Sequence, residues 1–188
     1  MRKLKVSTLV TLDGVIQDPG GFGETKQGGW ASPYFTEQAG QEAYAQLMAS
    51  DYFLCGRITY ELLSKKWGNI DTGPYMSRIN NIPKLVASRT LKEPLTWNAK
   101  LIKGNVVEEI EKLKQESGKD IVIYGSASLV QTLMQRRLVD EYSIALHPLV
   151  LGKGRRLFGE RDEGAKLRLI NTRTREPGVV ILTYAPAA

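Results

Sequence analysis

Residues 51–63 read DYFLCGRITYELL, an apolar run that stops at Gly56 and passes at once into a helical pattern. The run has the composition of a buried strand, and the helix is predicted to begin near Thr59. A strand-to-helix turn of this kind presents unpaired backbone N–H groups and the positive end of the helix dipole. Gly56 leaves room for a close-approaching group, Arg57 adds charge and Thr59 adds a hydroxyl. The stretch therefore predicts one strand–helix unit, with either ordinary turn chemistry or a bound anion at its turn.

The same pattern recurs at residues 122–133, VIYGSASLVQTL, where a strand runs into Gly125 and small hydroxyl residues before a second helix. This turn lacks the full G-x-G-x-x-G pattern, and one of its serines could simply cap the helix. Two such turns at the carboxyl ends of parallel strands would face one crevice, where ligands of open α/β sheets bind. A third turn, Ser88-Arg89, adds an arginine. Its guanidinium either binds a phosphate through two N–H groups or is a solvated charge on the loop.

Hydrophobic periodicity places the remaining elements. Strands are predicted at 4–12, 52–55, 84–89, 99–104, 120–125 and 141–152, with helices at 36–49, from 59, from 105 to 118 and at 126–137, and long loops at 17–30 and 65–83. A closing hairpin is predicted from 166–175 and 179–185. This order predicts an α/β fold with a mainly parallel central sheet, helices on both faces and a C-terminal antiparallel hairpin. No repeat or linker divides the chain, so residues 1–188 are predicted to form a single domain.

The cysteine and histidine counts, the apolar runs and the net charge exclude several classes of function. Cys55 and His147 are the only cysteine and histidine, which excludes an intramolecular disulfide and the common zinc sites, and no metal is predicted. No apolar run is long enough to span a membrane, and a cytoplasmic location is predicted. The net charge is +6, and residues 153–188 hold eight Lys or Arg against four Asp or Glu. This excess favours an anionic partner, but nucleic acid is supported by charge alone, so a small-molecule ligand is predicted.

Five segments together resemble a known family. They are STLVTLDGVI, CGRITYE, VASRT, IVIYGSASLVQTLM and RRLVDEYSIALHPLVLGKGRRLF. Their order and spacing resemble the dihydrofolate reductase superfamily, and within it the reductase domain of the bifunctional riboflavin-biosynthesis deaminase-reductase. The resemblance covers nearly the whole chain. Tyr124-Gly125-Ser126 departs from the acidic residue and two glycines usual there, which leaves the substrate open.

The resemblance implies an NADPH-dependent oxidoreductase with a dihydrofolate reductase-like fold, working as a homodimer. Its reaction would be hydride transfer to a pyrimidine- or pteridine-like substrate, most like that of 5-amino-6-(5-phosphoribosylamino)uracil reductase. The cofactor-binding residues it implies are Gly56, Arg57, Ile58, Thr59, Ser88, Arg89, Tyr124, Gly125, Ser126, Ala127, Ser128 and Leu129. Ser88 and Arg89 would contact the 2′-phosphate and favour NADPH over NADH.

On the substrate side, the resemblance implies that Leu12, Asp13 and Gly14 line the junction of nicotinamide and substrate. Asp13 is the candidate catalytic residue, although an Asp-Gly pair is also ordinary turn chemistry. Trp30 either covers the substrate or anchors its glycine-rich loop.

Two alternatives stay open. One is a dihydrofolate or other pterin reductase, which would need a carboxylate on the first helix, where Glu37 and Glu42 are candidates. The other is a non-catalytic nucleotide-binding protein that keeps the pocket without turnover.

Overall fold

A computed structural model describes residues 1–159 and 164–187, and its strands join into one eight-stranded sheet. The strands are β1 (Leu4–Thr11), β2 (Ser50–Gly56), β3 (Lys84–Ala87), β4 (Ala99–Leu101), β5 (Asp120–Tyr124), β6 (Glu141–His147), β7 (Leu167–Arg175) and β8 (Val179–Pro186). Their order across the sheet is β4-β3-β2-β5-β1-β6-β8-β7. The first six pair in parallel, whereas β8 runs antiparallel to both β6 and β7. The predicted α/β sheet with its antiparallel C-terminal hairpin is confirmed.

Among the residues that the structure describes, five helices cover the two faces of the sheet. They are α1 (Glu37–Met48), α2 (Arg57–Trp67), α3 (Gly73–Asn81), α4 (Val106–Gln115) and α5 (Ala127–Gln135), and a single 3-10 turn spans Ser32–Tyr34. Ile121 and Ile123 of β5 are buried in a cluster with residues of α4 and α5, whereas Val122 between them belongs to a cluster with residues of α1, α2 and α3. A strand buried on both faces is expected to read as a continuous apolar run, as DIVIY does.

Two helices begin at residues whose side chains cap them. Thr36 accepts a hydrogen bond from the Ala39 N–H at the start of α1, and Asn105 accepts one from the Val107 N–H at the start of α4. In contrast, α2 and α5 begin without a side-chain cap hydrogen bond. The first-turn N–H groups of these two helices are therefore left for another partner.

The structure corrects two predicted elements. The segment 65–83 is not a loop throughout, because it contains α3. Pro74 lies in the first turn of α3, where its missing N–H costs nothing, and Ile79 packs fully buried in the core. The strand predicted at 141–152 ends at His147, because Pro148 cannot donate to the sheet and the chain bends there.

Across residues 1–159 and 164–187 the structure contains no helix long and apolar enough to cross a membrane. Within the same ranges, no group of three or more His, Cys, Asp or Glu side chains could hold a metal ion.

Candidate functional site

The three predicted turns lie side by side, because β3, β2 and β5 are neighbouring parallel strands. Gly56 at the end of β2 is paired in register with Ala87, the residue before Ser88. On the other side, the Ser126 hydroxyl accepts a hydrogen bond of 2.9 Å from the Gly56 N–H. It also lies 2.8 Å from the Thr59 hydroxyl. The structure thus brings the two glycine-bearing turns together at one edge of the sheet.

The backbone at this edge is shaped to receive an anion. Gly125 and Ser126 have φ values of 62° and 59°, so two successive residues are left-handed before α5 begins. Successive turn amides and helix N-termini form concave sites of positive potential. Because neither α2 nor α5 has a side-chain cap, their first-turn amides can converge on a shared negative group.

Arg57, Ser88 and Arg89 also belong to these turns, and their side chains have different partners. Arg57 forms an ion pair of 2.9 Å with Glu61 one turn along α2, and both side chains are about half exposed. The Ser88 hydroxyl accepts from the Leu91 N–H, so it already caps its own turn. Arg89 is exposed beyond the end of β3. Of these three, Arg89 is the one whose side chain projects into solvent beside the joined turns without a partner among the described residues.

Six of the predicted cofactor-binding residues also line a cavity of about 680 Å³, a volume typical of small-molecule sites. They are Ile58, Thr59, Tyr124, Gly125, Ser126 and Ala127. Leu129 is different, because its side chain packs in the core and leaves only its main chain for a ligand. Ser128 is exposed at the first turn of α5.

Small side chains on facing elements keep this cavity open. On α1, Ala39, Gly40 and Ala43 line it, and a Cβ added at Gly40 would meet nothing within 4 Å. On the sheet, Ser7 and Ser143 line the opposite wall. The alanines of α1 therefore face the cavity.

Asp18 organises the loop that forms one wall of the cavity. It is 1% exposed and left-handed, with a φ of 52°. Its carboxylate accepts hydrogen bonds from the N–H groups of Phe22, Glu24 and Thr25. Sequence reasoning missed this residue, although an aspartate at the start of a proline- and glycine-rich loop is a recognisable turn signal.

Asp18→Asn is expected to lower the free energy of unfolding by about 1–3 kcal/mol, because an amide replaces a carboxylate that satisfies three partly buried N–H groups. Urea unfolding measures the loss, and hydrogen exchange should quicken at Phe22, Glu24 and Thr25. The exposed Asp71→Asn is the control. Unchanged exchange in the loop would show that Asp18 does not hold it.

Asp13, the candidate catalytic residue, is engaged in hydrogen bonds at the end of β1, and its catalytic role stays a prediction. Its carboxylate accepts from the Thr11 hydroxyl at 2.6 Å and from the N–H groups of Leu151 and Gly152. These bonds, that from Thr11 above all, lower the pKa of Asp13 to about 2. The side chain is therefore an ionised anchor that ties the segment after β6 to the end of β1, and it is absent from the described lining of the cavity.

The three predicted substrate-binding residues also lie outside that lining. Leu12 is 58% exposed. Gly14 packs against Arg156, whose Nε donates to the Asp13 carbonyl. Trp30 is buried, donates from Nε1 to the Gln17 carbonyl at 2.8 Å and contacts His147 edge-on, so it anchors its loop. The contacts of these three residues with substrate stay predictions.

A charged cluster from distant parts of the chain occupies another part of the cavity wall. Glu42 of α1 forms ion pairs with Arg173 and with Arg175, the latter at 2.8 Å. All three line the cavity. Glu37, the other candidate on α1, accepts from Gln41 on the exposed face of the helix. Sequence reasoning found Glu42 but missed both arginines.

Comparison with known proteins gives the family of this chain. A family model described as the RibD C-terminal domain matches residues 2–181. The chain belongs to the RibD C-terminal domain family. The uncharacterized Bacillus subtilis (strain 168) protein YyaP is 34% identical over 97% of this chain and 94% of its own length. YwjB, also uncharacterized and from the same organism, is 30% identical over 92% and 91%.

Solved structures show the same fold for this RibD C-terminal domain. A protein from Shewanella sp. PV-4, described provisionally as a riboflavin biosynthesis protein, superposes with a TM-score of 0.76 and 24% identity over 99% of both chains. Acinetobacter baumannii RibD superposes with a TM-score of 0.68 and 15% identity, covering all of this chain and 59% of the other. At these identities the likeness concerns the fold.

The family assignment confirms the resemblance found in the sequence motifs. The matched range, 2–181, includes the first strand, the three turns and the run RRLVDEYSIALHPLVLGKGRRLF. The departure at 124–126 lies inside the cavity of this RibD C-terminal domain, where Ser126 joins the two turns.

Proposed function

We infer that the chain is an NADPH-dependent reductase that acts on a pyrimidine- or pteridine-like compound. The observation that carries this proposal is the pair of uncapped helix N-termini joined through Ser126 beside a cavity of about 680 Å³. The family supplies the reaction class, since a structural neighbour from Thermotoga maritima is named as a deaminase and 5-amino-6-(5-phosphoribosylamino)uracil reductase. That name is the basis for a substrate of the same chemical class.

The residues present fit a dinucleotide. The main chain of 56–59 and of 125–128 would hold the diphosphate, and Arg89 would contact a 2′-phosphate beside it. When bound, NADPH supplies a hydride. The protein would position the substrate in the adjoining cavity and exclude water with apolar side chains such as Phe35, Leu62 and Trp67.

The pterin reductase alternative is less well supported by the geometry. Glu42 does line the cavity from the first helix, but its two carboxylate oxygens already accept from Arg173 and Arg175. A carboxylate engaged in this way has less capacity for the paired N–H donors of a pterin ring. The non-catalytic alternative is tested by turnover, because a mere binding protein would not oxidise NADPH when 5-amino-6-(5-phosphoribosylamino)uracil is added.

NADPH is expected to bind more tightly than NADH by about tenfold or more, because Arg89 offers a charge-assisted contact to the additional phosphate. Arg89→Ala should remove most of this preference, as measured by quenching of nicotinamide fluorescence. The nearby exposed Lys92→Ala is the matched control and should retain the preference. Equal affinity of the parent protein for both nucleotides would refute the role given to Arg89.

The homodimer, the single domain and the cytoplasmic location stay predictions. Sedimentation of the purified chain would measure its oligomeric state directly.

A further inference from the structure

The Glu42–Arg173–Arg175 cluster lies in the cavity but away from the turns proposed for the diphosphate. Those turns follow β2 and β5, whereas both arginines belong to β7 at the far edge of the sheet. Four strand spacings separate β5 from β7, which is roughly 19 Å. The long arginine side chains reach back to Glu42 on α1, so a ligand group at the cluster would contact a different part of the cavity wall from the diphosphate.

The cluster carries excess positive charge. Two guanidinium groups face one carboxylate, and Glu42 also accepts from Gln38 at 3.1 Å. The other charged residues described in the cavity lining are Asp18, Glu24 and Arg155. The Asp18 carboxylate accepts hydrogen bonds from three backbone N–H groups, and Arg155 lies 3.8 Å from Glu24.

The arginines also retain unused hydrogen-bonding capacity. A guanidinium has five N–H donors and typically grips an oxyanion through two of them. Here Arg173 and Arg175 each donate to Glu42 from Nη1. Arg175 is 7% exposed, and its buried Nε has no hydrogen-bond partner. That Nε is closed off from the cavity, so the N–H groups that remain available to a ligand are those at the Nη atoms.

We propose that Arg173 and Arg175 form an oxyanion subsite that binds a phosphate monoester or a carboxylate at the end of the substrate remote from its reacting ring. Glu42 orients the two guanidinium groups and reduces the net charge of the site, so it weakens anion binding while it fixes the geometry. The assignment of the oxyanion to a reductase substrate rests on the proposed function. The binding of the oxyanion itself does not.

The test titrates the purified chain with phenyl phosphate, benzoate and the neutral benzamide, followed by ligand-observed NMR with and without NADPH. Either anion is expected to bind about tenfold or more tightly than benzamide. Whichever anion binds more tightly identifies the phosphate or the carboxylate as the natural group. Benzamide that binds as tightly as both anions would overturn the proposal.

Variants locate the anion. Arg173→Gln is the primary one because Arg173 is about half exposed, and it should weaken anion binding by about tenfold or more. Glu42→Gln should tighten it, since a competing negative charge is lost. Arg168→Gln, on the same strand but outside the described cavity lining, is the matched control and should change nothing. Unchanged binding in Arg173→Gln, or weaker binding in Glu42→Gln, would overturn the subsite.

The proposed reductase function and the proposed oxyanion subsite can be refuted independently of each other. If NADPH binds the parent protein and Arg173→Gln equally while the anions bind the parent protein alone, both proposals stand. If the anions bind as expected but NADPH does not bind at all, the reductase assignment falls and the oxyanion subsite survives.

Discussion

Gly56→Asp is expected to raise the unfolding temperature while it weakens NADPH binding by roughly 100-fold or more. Gly56 is the N-cap of α2, with φ of −86° and ψ of 171°, a conformation that aspartate adopts without strain. A Cβ there would lie 3.5 Å from the Ser126 hydroxyl oxygen, an ordinary contact. The new carboxylate would cap the first turn of α2, worth up to about 1 kcal/mol, and would occupy the place proposed for the diphosphate.

Gly56→Asn separates the two effects. Asparagine caps a helix about as well as aspartate but carries no charge, so it should give a similar stabilisation with a much smaller loss of NADPH affinity. Thermal unfolding and fluorescence quenching, measured on the same samples, give both quantities. If Gly56→Asp unfolds at a higher temperature and still binds NADPH like the parent protein, the diphosphate does not lie at this turn.

The turns could be predicted from sequence because they depend on local patterns and one topological rule. Apolar runs such as DIVIY identify parallel strands from a few residues, and the carboxyl ends of neighbouring parallel strands necessarily meet. The hydrogen bond from the Gly56 N–H to the Ser126 hydroxyl joins residues 70 apart in the sequence. Each turn can nevertheless be recognised from its own glycine and hydroxyl residues. The sequence therefore locates this edge of the site without any knowledge of the contacts.

The other wall of the cavity and the loops beyond it depend on contacts that leave no local signal. Asp13 reaches the Gly152 N–H across 139 residues, and Arg175 reaches Glu42 across 133. Read alone, each of these residues is equally consistent with a solvated turn or an exposed strand. Helix α3 was not predicted from the sequence, for a related reason. It is short and flanked by glycine, proline and asparagine, and it is stabilised mainly by tertiary packing of Ile79.

Lys84→Met is expected to flatten the pH dependence of stability of the whole protein. Lys84 is 1% exposed, donates to the Asn80 carbonyl at 2.6 Å and lies 4.3 Å from the centre of the Trp97 ring. Burial, with a smaller contribution from Arg78, lowers the pKa of Lys84 from 10.5 to about 7. A buried ammonium without a carboxylate partner among the described residues favours its neutral form in the folded state.

The sign of the effect follows from proton counting. Above pH 7 the unfolded chain keeps the Lys84 proton, whereas the folded chain releases it, so the free energy of unfolding of the parent protein rises with pH. The slope approaches about 1.4 kcal/mol per pH unit, which gives roughly 2 kcal/mol between about pH 7 and pH 8.5. Burial raises the pKa of the Cys55 thiol from 9.0 to about 12. This thiol therefore lowers the free energy of unfolding only as the pH approaches about 9, where it ionises in the unfolded chain but not in the fold.

Urea unfolding at several values between about pH 6.5 and pH 8.5 therefore isolates Lys84. Lys84→Met should show little slope across this window, because methionine fills the same space and binds no proton. Lys103→Met removes a lysine that is 84% exposed and should keep the slope of the parent protein. Since His147 titrates equally in all three proteins, it cancels in their difference. Parallel curves for the parent protein and Lys84→Met would mean that the Lys84 ammonium remains charged in the fold, stabilised by the Asn80 carbonyl and the Trp97 ring more than burial disfavours it.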